Sequence, residues 1–403
     1  MKILCLGNAD NIGVRVYSWL KEHNQDVNLY RIQADEDPLR GNPYLYLEKN
    51  DIENNPHVTL ISDDLLTIRN ISLFGGKLID KINKEYDFVI ITGGWHALIY
   101  SRKIKKPKLF IYIGYELHTK AKEYRGLPSI KELRKSPLET LRHYFYGWLT
   151  RSSFQRVDKY LDWFPPGLAV TQSLGMLDKV IYMALGEDLA RNKKIINTNL
   201  SIELNDISSS FQKTFLFLSR LNFSDTSKAN CKSAHFFLHG LESQIGNLEK
   251  GFIKIYIGDH GEEAEQFKAM AKNSHVYKYI TWVSHLDYSD LMSYLSIKNA
   301  VLFTDFGDVN SGISGIGRDG YSIGVPMVNS TTDDIMIKQY TTPGPRMYVK
   351  TKEDVIDAMN NIMNIREESF EFWKKETLEY GRKYVDKDFF IKRLLTEIKR
   401  MCQ

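Results

Sequence analysis

The stretch that decides the fold runs from residue 299 to residue 330 and reads NAVLFTDFGDVNSGISGIGRDGYSIGVPMVNS. It opens with the apolar run Ala300–Phe303, which is typical of a strand buried on both faces. Five glycines follow between residues 307 and 320, and the turn at residues 324–326 leads into a second apolar run. A strand, a glycine-rich loop, a short helix and another strand predict half of a parallel βαβ unit.

The glycine-rich loop has the composition of an anion-binding site. In βαβ units, ligands bind at the carboxyl ends of the strands, and the amino terminus of the helix faces an anion. Glycines let backbone amides approach a phosphate where a Cβ atom would clash. The loop from residue 311 to residue 319 therefore offers amides to a phosphate. Its candidate binding residues are Ser311, Gly312, Ile313, Ser314 and Gly315.

Length and composition indicate a globular protein of two domains. A chain of 403 residues exceeds the size at which single hydrophobic cores stop growing. Its 43% hydrophobic and 26% charged residues are ordinary for a soluble protein. The three cysteines, Cys5, Cys231 and Cys402, lie too far apart for a disulfide framework or a metal site, which favours a reducing cytoplasm. We expect neither a signal peptide nor a membrane span.

The alternation of apolar strands with helical segments predicts an α/β fold with two Rossmann-like parallel-sheet domains. Residues 187–213 are rich in Asn, Ser, Asp and Lys, which is typical of a boundary between domains. We therefore expect a first domain over residues 1–200 and a second over residues 205–380. Neither half carries a dinucleotide fingerprint, which favours a ligand bound in a cleft between the two.

Candidate residues of the first domain follow its strands. Residues 7–13 form a predicted turn after the first strand, where Gly7, Asn8 and Gly13 either contact a ligand or serve only the turn. His96 follows a strand that begins at residue 87, and Glu116 and His118 follow the next one. Polar side chains just past strand ends are where α/β sheets bind ligands.

A basic segment lies within the first domain. Between residues 102 and 159 there are 15 Lys or Arg and 5 Asp or Glu, whereas the net charge of the whole chain is +4. In residues 137–151 the apolar side chains share one helical face, and basic and aromatic residues flank it. Such a helix either lies at an anionic membrane surface or packs on the core with solvated lysines. A nucleic-acid partner is not expected, because no recognised nucleic-acid-binding module is present.

The second domain offers two cations near predicted strand ends. Arg220 follows the strand that begins at residue 214, and Lys228 comes eight residues later. Cations together with helix-start amides suit a diphosphate, and fixed cations can neutralise its charge without a metal. We therefore expect no metal cofactor. His285 offers a ring near a possible base pocket. The structural alternatives are a surface salt bridge for Arg220 and a helix N-cap for Asp319.

These residues resemble those of a known family. Four segments resemble the nucleotide-sugar domain of retaining GT-B glycosyltransferases. They are residues 217–228 with Arg220 and Lys228, the turn Gly258-Asp259, the run ending at His285 and the segment at residues 320–326. The group is the glycogen synthase-like one, family 4, and the resemblance covers nearly all of residues 214–350. It implies the GT-B fold, in which two Rossmann-like domains face a cleft and a C-terminal helix, here about residues 380–403, crosses back to the first domain.

The resemblance also implies an activity and roles for residues. A sugar would pass from a nucleotide-diphosphate donor to a glycan, lipid-linked or other acceptor, with retention at the anomeric carbon. Arg220 and Lys228 would stabilise the leaving diphosphate, the amides of residues 312–317 would hold phosphate or sugar hydroxyls, and Asp319 would bind a donor hydroxyl. The leaving phosphate would help to deprotonate the acceptor.

The sequence departs from this family at two places. Two glutamates eight residues apart mark the family, and the matching residues here are Ser311 and Asp319; Asp308 could substitute for the first. The usual histidine of the first domain aligns near Ile113, so His96, Glu116 or His118 would take its role. These departures weaken the expectation of activity and are compatible with an altered donor sugar. The alternatives are an inverting transferase with His96 or Asp10 as base, a nucleotide-sugar epimerase, and a non-catalytic nucleotide-sugar-binding subunit.

Overall fold

The chain folds into two compact units. The computed structural model describes residues 1–8, 11–33, 55–62, 64–92, 95–111, 130–162, 171–172, 174–199, 212–224, 232–284, 287–306 and 312–403. Unit 1 comprises Met1–Met183 and Ile391–Gln403, and unit 2 comprises Ala184–Phe390. The boundary predicted between residues 200 and 205 lies outside the described residues.

Unit 1 is built on a parallel sheet of seven strands in the order β3-β2-β1-β4-β5-β6-β7. Its strands are β1 Lys2–Asn8, β2 Asp26–Gln33, β3 Val58–Ser62, β4 Phe88–Thr92, β5 Lys108–Ile111, β6 Lys159–Asp162 and β7 Val180–Tyr182. The helices described in this unit are α1 Asn11–Glu22, α2 Leu65–Phe74, α3 Lys77–Glu85, α4 Trp95–Tyr100, α5 Ile130–Lys135 and α6 Pro137–Phe154.

The central strands of unit 1 are buried on both faces. All five residues of β4 and all four of β5 are buried, as expected for parallel strands covered by helices on each side. Burying one Ile, Leu or Phe side chain completely stabilises the folded state by about 1.5–3 kcal/mol. A stacked pair, Phe154 and Tyr160 with ring centroids 4.4 Å apart, packs the end of α6 against β6.

Unit 2 has a second parallel sheet, of six strands, in the order β10-β9-β8-β11-β12-β13. Its strands are β8 Lys213–Phe217, β9 Ile253–Gly258, β10 Ile280–Val283, β11 Ala300–Phe303, β12 Met327–Asn329 and β13 Met347–Tyr348. Its helices are α7 Leu189–Asn199, α8 His235–Ser243, α9 Ile245–Glu249, α10 Ala264–Lys272, α11 Tyr288–Leu295, α12 Gly315–Ile323, α13 Asp333–Tyr340, α14 Lys352–Asn364 and α15 Glu367–Tyr380.

The strand β11 confirms the prediction made from its apolar run, because all four of its residues are buried. It pairs with β8 on one side and with β12 on the other. Phe303 packs edge-on against Phe215 at 5.0 Å, which joins the two central strands within one core. Both sheets are parallel and doubly wound, so the α/β fold class with two Rossmann-like units is confirmed.

The strand order locates the edge of unit 2 that can bind a ligand. The chain moves outward from β8 to β9 and β10, then returns to the other side of β8 as β11. Ligands of doubly wound sheets bind at the carboxyl ends of the strands that flank this reversal. In unit 2 the flanking strands are β8 and β11.

The chain returns to unit 1 at its C-terminal end. The π-helical turn Gly381–Val385 follows α15, and the last helix, α16 Lys387–Cys402, extends into unit 1 from Ile391 onward. Within unit 1, Arg393 Nη2 donates a hydrogen bond to the carbonyl oxygen of Tyr182 at 3.0 Å. Across the described ranges, no helix combines the length and the apolarity needed to cross a bilayer.

Candidate functional site

The loops after four strands of unit 2 meet at one edge of the sheet. Ser219 Oγ, two residues past β8, lies 2.6 Å from Thr304 Oγ1, one residue past β11. The Leu221 amide donates to the His260 carbonyl at 2.8 Å, which ties the loops after β8 and β9 together. The Asp259 amide donates to the carbonyl oxygen of Val283, at the end of β10, at 2.8 Å. The predicted ligand-binding edge is therefore a single continuous surface.

The loop that carries Arg220 is fixed by contacts with residues that follow β9. Gly261 has φ +130°, and a Cβ there would lie 2.6 Å from the Leu221 amide nitrogen, so only glycine permits this approach. The carboxylate of Glu263 accepts hydrogen bonds from the Phe223 amide and from the amide and hydroxyl of Ser224. The Arg220 side chain is exposed and makes no ion pair with the part of the chain that the structure describes. A fixed loop therefore presents a guanidinium to solvent.

A lysine and an aspartate form an ion pair beside the reversal of strand order. Lys232 Nζ donates to Asp305 Oδ1 at 2.6 Å, and the side chains are 14% and 0% exposed. Asp305 comes two residues after β11, and its backbone has φ +54°, a conformation that non-glycine residues rarely adopt. Lys232 is therefore held at the carboxyl ends of β8 and β11.

The amino terminus of α12 adjoins this ion pair. Ser314 is the N-cap of α12, and its hydroxyl accepts the Gly317 amide at 3.4 Å. The Ser314 hydroxyl also donates to Asp305 Oδ2 at 2.7 Å, and the Ser314 amide donates to the same oxygen at 3.2 Å. Gly315, the first residue of α12, is exposed, and a Cβ there would meet only Arg318 Nη2, at 3.9 Å. The helix therefore presents an uncrowded amino terminus next to the ion pair of Lys232 and Asp305.

Solved structures share this fold. A glycosyltransferase from Rickettsia africae matches with a TM-score of 0.62 at 11% identity, covering 100% of this chain and 98% of that one. Anabaena HepE in complex with UDP and glucose matches at 0.59 and 10% identity, covering 99% of both chains. Sucrose-phosphate synthase from Thermosynechococcus elongatus matches at 0.58 and 10%, covering 100% and 99%. The fold is GT-B. No family model and no curated protein matches the sequence.

The turn after β9 in this GT-B fold uses its aspartate for an internal contact. Asp259 Oδ2 accepts a hydrogen bond from Lys268 Nζ at 2.5 Å, and this bond raises the pKa of the Lys268 ammonium group. Gly258 ends β9, and a Cβ there would lie 2.9 Å from the His260 ring. The predicted residues Gly258 and Asp259 therefore lie at the predicted ligand-binding edge, where their described contacts are structural.

Asp319 lies within α12 and belongs to a buried polar network. The Tyr288 hydroxyl lies 2.8 Å from Asp319 Oδ1 and 2.8 Å from Asn192 Oδ1. Asn192 Nδ2 in turn donates to the Ser322 hydroxyl at 2.7 Å. The Asp319 residue is 6% exposed. The structure therefore places Asp319 on the helix that begins at the site, and Ser314, not Asp319, is the N-cap of that helix.

The residue before Asp319 anchors the same helix. Arg318 Nε donates to Glu187 Oε1 at 3.0 Å, with side chains 7% and 3% exposed. Glu187 pairs through its backbone with the segment that follows α15, since its amide donates to the Val385 carbonyl at 2.8 Å. This buried ion pair fixes α12, and with it the position of the Ser314 cap, relative to the segment after α15.

In unit 1, the predicted turn residues have structural surroundings. Gly7 lies inside β1, not in a turn, and a Cβ there would lie 2.2 Å from Thr92 Oγ1. Asn8 ends the same strand, and Gly13 is buried in the first turn of α1. The close packing of β1 on β4 thus explains the glycine at position 7. His96 is half-buried at the second position of α4.

Several predicted residues lie outside the described residues, so the structure leaves them as predictions. They are Lys228, Glu116, His118, His285 and Ser311, together with the alternatives Asp10 and Asp308. Of the predicted loop residues, Gly312 and Ile313 are described and buried, and the Ile313 amide donates to Gln339 Oε1 at 3.4 Å. The absence of a metal cofactor also stays a prediction.

Two central residues of the site, Lys232 and Asp305, were missed by the sequence analysis. Lys232 lies four residues beyond Lys228, and nothing local distinguishes one from the other. Asp305 lies 73 residues from Lys232, so their ion pair exists only in the folded sheet. One signal was available, because an acidic residue directly follows the apolar run of β11, where ligand-binding side chains are expected.

The arrangement can bind an anion without a metal. It combines a half-buried lysine, an exposed arginine on a fixed loop and the amino terminus of a nine-residue helix at one sheet edge. Cations and helix-start amides stabilise phosphate oxygens by charge-assisted hydrogen bonds. The same groups stabilise charge that develops on a leaving phosphate.

Proposed function

We propose that the chain is a glycosyltransferase that binds a nucleotide-diphosphate sugar in unit 2. The donor diphosphate lies at the carboxyl ends of β8 and β11, between Arg220, Lys232 and the amino terminus of α12. The observation that carries this proposal is the placement of Lys232 at the reversal of strand order, 2.6 Å from Asp305. The HepE structure, whose ligands are UDP and glucose, supports a nucleotide as the donor carrier.

The site residues have defined roles in the proposed reaction. The bond between the anomeric carbon and the diphosphate oxygen breaks, and a bond to an acceptor hydroxyl oxygen forms. Arg220 and Lys232 stabilise the negative charge that grows on the leaving diphosphate. The acceptor hydroxyl gives its proton to the leaving phosphate, so no protein base is required. Lys228 remains a further candidate cation of the same loop.

The proposal extends to retention of the anomeric configuration and to the family 4 group. Its support is the resemblance of the segments around Arg220, Asp259 and Gly324 to that group. Transfer on the face from which the leaving group departs gives retention, and the leaving phosphate lies close enough to accept the proton. The acceptor is a glycan or a lipid-linked molecule. Asp319 binds a donor hydroxyl in this account by exchanging its bond with Tyr288.

A thermal-shift screen tests the donor site. UDP, GDP and ADP, each beside its nucleoside, are added to the purified protein, because a ligand that binds only the folded state stabilises it by mass action. We expect one diphosphate to raise the melting temperature by several degrees and its nucleoside to raise it far less. Arg220→Ala should reduce the shift, and Lys250→Ala, on the turn that precedes β9, is the matched control. Equal shifts for diphosphate and nucleoside would contradict the proposal.

Product analysis, with the diphosphate identified by the screen, separates the proposed enzyme from the alternatives. An inverting transferase or an epimerase would bind the same diphosphate but yield a product of different configuration, which nuclear magnetic resonance of the sugar distinguishes. A non-catalytic binding subunit would show the shift without release of diphosphate from any donor, across a broad acceptor panel. His96 in unit 1 is the described candidate for the base that an inverting mechanism needs.

We further propose that unit 1 contacts an anionic membrane surface through the start of α6. The helix divides into two parts: Leu149 is fully buried, whereas Leu138 is 83% and Leu141 54% exposed. Arg134 and Arg142 are exposed next to these leucines. Apolar side chains flanked by cations favour binding at anionic lipid headgroups, consistent with an acceptor carried on lipid at the cytoplasmic face.

Vesicle sedimentation tests the membrane contact. We expect the protein to pellet with vesicles of phosphatidylcholine and phosphatidylglycerol and to stay in solution with phosphatidylcholine alone. Leu138→Glu with Leu141→Glu should abolish pelleting, because apolar area is lost and two negative charges are added beside the arginines. Phe372→Glu, at a position 63% exposed in unit 2, is the control. Equal pelleting with neutral and anionic vesicles at low salt would rule out the contact.

A further inference from the structure

Asp305 has more hydrogen bonds and a less common backbone conformation than a residue in a simple loop after a strand requires. Its side chain is fully buried, and its carboxylate accepts from Lys232 Nζ, the Ser314 amide and the Ser314 hydroxyl. Its carbonyl oxygen accepts from the amide and hydroxyl of Ser330, at 3.3 and 2.5 Å. Its backbone is in the left-handed region at φ +54°. Rarely populated backbone conformations persist where the surroundings over-determine them, and they concentrate at functional sites.

We propose that Asp305 is a positioning residue of the donor site, which holds Lys232 at the carboxyl end of β11 and balances its charge until a donor diphosphate does so. This inference rests on the proposed function. It adds to the site a carboxylate that is not among the residues carrying the family resemblance. Arg220 and Lys232 raise the affinity for diphosphate, whereas this carboxylate lowers it.

The charges explain why this carboxylate matters for binding. Desolvation makes a charged lysine that is 14% exposed and lacks a counter-ion unfavourable, so the folded protein needs an anion near Lys232. Asp305 supplies it. An incoming diphosphate brings a second anion to the same ammonium group, and the two compete for it. Asp305 therefore lowers the affinity for diphosphate while it keeps the lysine in place.

The same contacts define where the lysine is held. The Asp305 carboxylate bridges Lys232 to the N-cap of α12 through Ser314, so the cation and the helix amino terminus have a fixed separation. Both groups face the diphosphate in the proposed function. A rigid pair of this kind stabilises developing charge without reorganisation during the reaction. Removal of the carboxylate frees the lysine to move.

The test uses Asp305→Asn in the full chain. Asparagine tolerates the left-handed backbone at this position, and its one side-chain oxygen can still accept from Ser314, so the negative charge and the acceptor that faces Lys232 are lost. Asp354→Asn is the matched control, because Asp354 also accepts backbone amides at a helix start, from Lys350 and Thr351, and has no lysine partner of this kind. The probes are inorganic pyrophosphate and the diphosphate–nucleoside pair identified by thermal shift.

We expect Asp305→Asn to lower the melting temperature and pyrophosphate to restore more of it than in the wild type, because pyrophosphate replaces the missing counter-ion. The affinity for the diphosphate relative to its nucleoside should rise about tenfold. The kcat should fall while KM falls too, since the donor binds better but the lysine is no longer fixed. Asp354→Asn should change neither the pyrophosphate response nor the affinity ratio.

Other outcomes overturn the inference and show which claim fails. If Asp305→Asn weakens diphosphate and nucleoside binding equally, Asp305 is only structural and the proposed function stands. If its relative diphosphate affinity is lower than that of the wild type, the two anions do not compete for Lys232. If the wild type is stabilised by no diphosphate and by no pyrophosphate, the proposed function fails and this inference fails with it.

Discussion

Replacing Lys232 by Met together with Asp305 by Asn is expected to lower kcat/KM by about 10²–10³-fold while the protein remains folded. A preorganised group that stabilises developing charge contributes that much to a rate in enzymes of other classes. Removing both charges leaves no unpaired ion in the core, and such paired replacements are often neutral for stability. The measurement is release of nucleoside diphosphate from the donor identified by thermal shift.

The single variants show that the loss arises from the lysine. Lys232→Met alone leaves the buried Asp305 carboxylate without its cation, so it should destabilise the protein by about 3–5 kcal/mol in addition to the kinetic loss. The double variant should recover most of that stability and none of the activity. If the double variant is both stable and as active as the wild type, Lys232 does not contact the donor, and Lys228 becomes the candidate cation.

Breaking the buried pair of Glu187 and Arg318 is expected to destabilise the protein strongly. Arg318→Met leaves the Glu187 carboxylate, 3% exposed, buried without its arginine, and removal of one partner from a buried pair costs about 3–5 kcal/mol. The double variant Glu187→Gln with Arg318→Met should lie within about 1–2 kcal/mol of the wild type. Urea denaturation followed by circular dichroism measures both values.

An exposed ion pair in the same unit provides the control. Lys375 and Glu379 lie 3.9 Å apart on α15, with side chains 70% and 55% exposed, and pairs of this kind contribute about 0–1 kcal/mol. Lys375→Met should therefore change the free energy of unfolding little. If Arg318→Met behaves like Lys375→Met, the pair does not anchor α12. Activity should fall with Arg318→Met, because α12 carries Ser314 and Asp319.

The fold was predictable because its signals are local. The run Ala300–Phe303 is apolar without interruption, and parallel strands covered on both faces require that pattern. The turn predicted at residues 7–13 was partly wrong for a physical reason. Gly7 continues β1 because a glycine lets that strand pack against Thr92 of β4, and a sequence does not show which neighbour approaches a glycine.

The site was predictable only in outline. Arg220 and the start of α12 follow strands directly, so their place at the sheet edge can be read from order along the chain. Lys232 reaches the same edge through its contact with Asp305, and no local pattern encodes a contact across 73 residues. The hydrogen bond between Asp319 and Tyr288 joins residues 31 positions apart, so the sequence does not predict it either.

Amide hydrogen exchange of the full chain, with and without the nucleoside diphosphate found by thermal shift, tests the central claim most directly. The account predicts slower exchange in peptides covering residues 218–224 and 312–323 of unit 2, where the loop after β8 and the amino terminus of α12 meet the diphosphate. Lys232→Met with Asp305→Asn should reduce that protection. Bound nucleotide with protection confined to unit 1, at residues 1–33 or 88–111, would contradict the account.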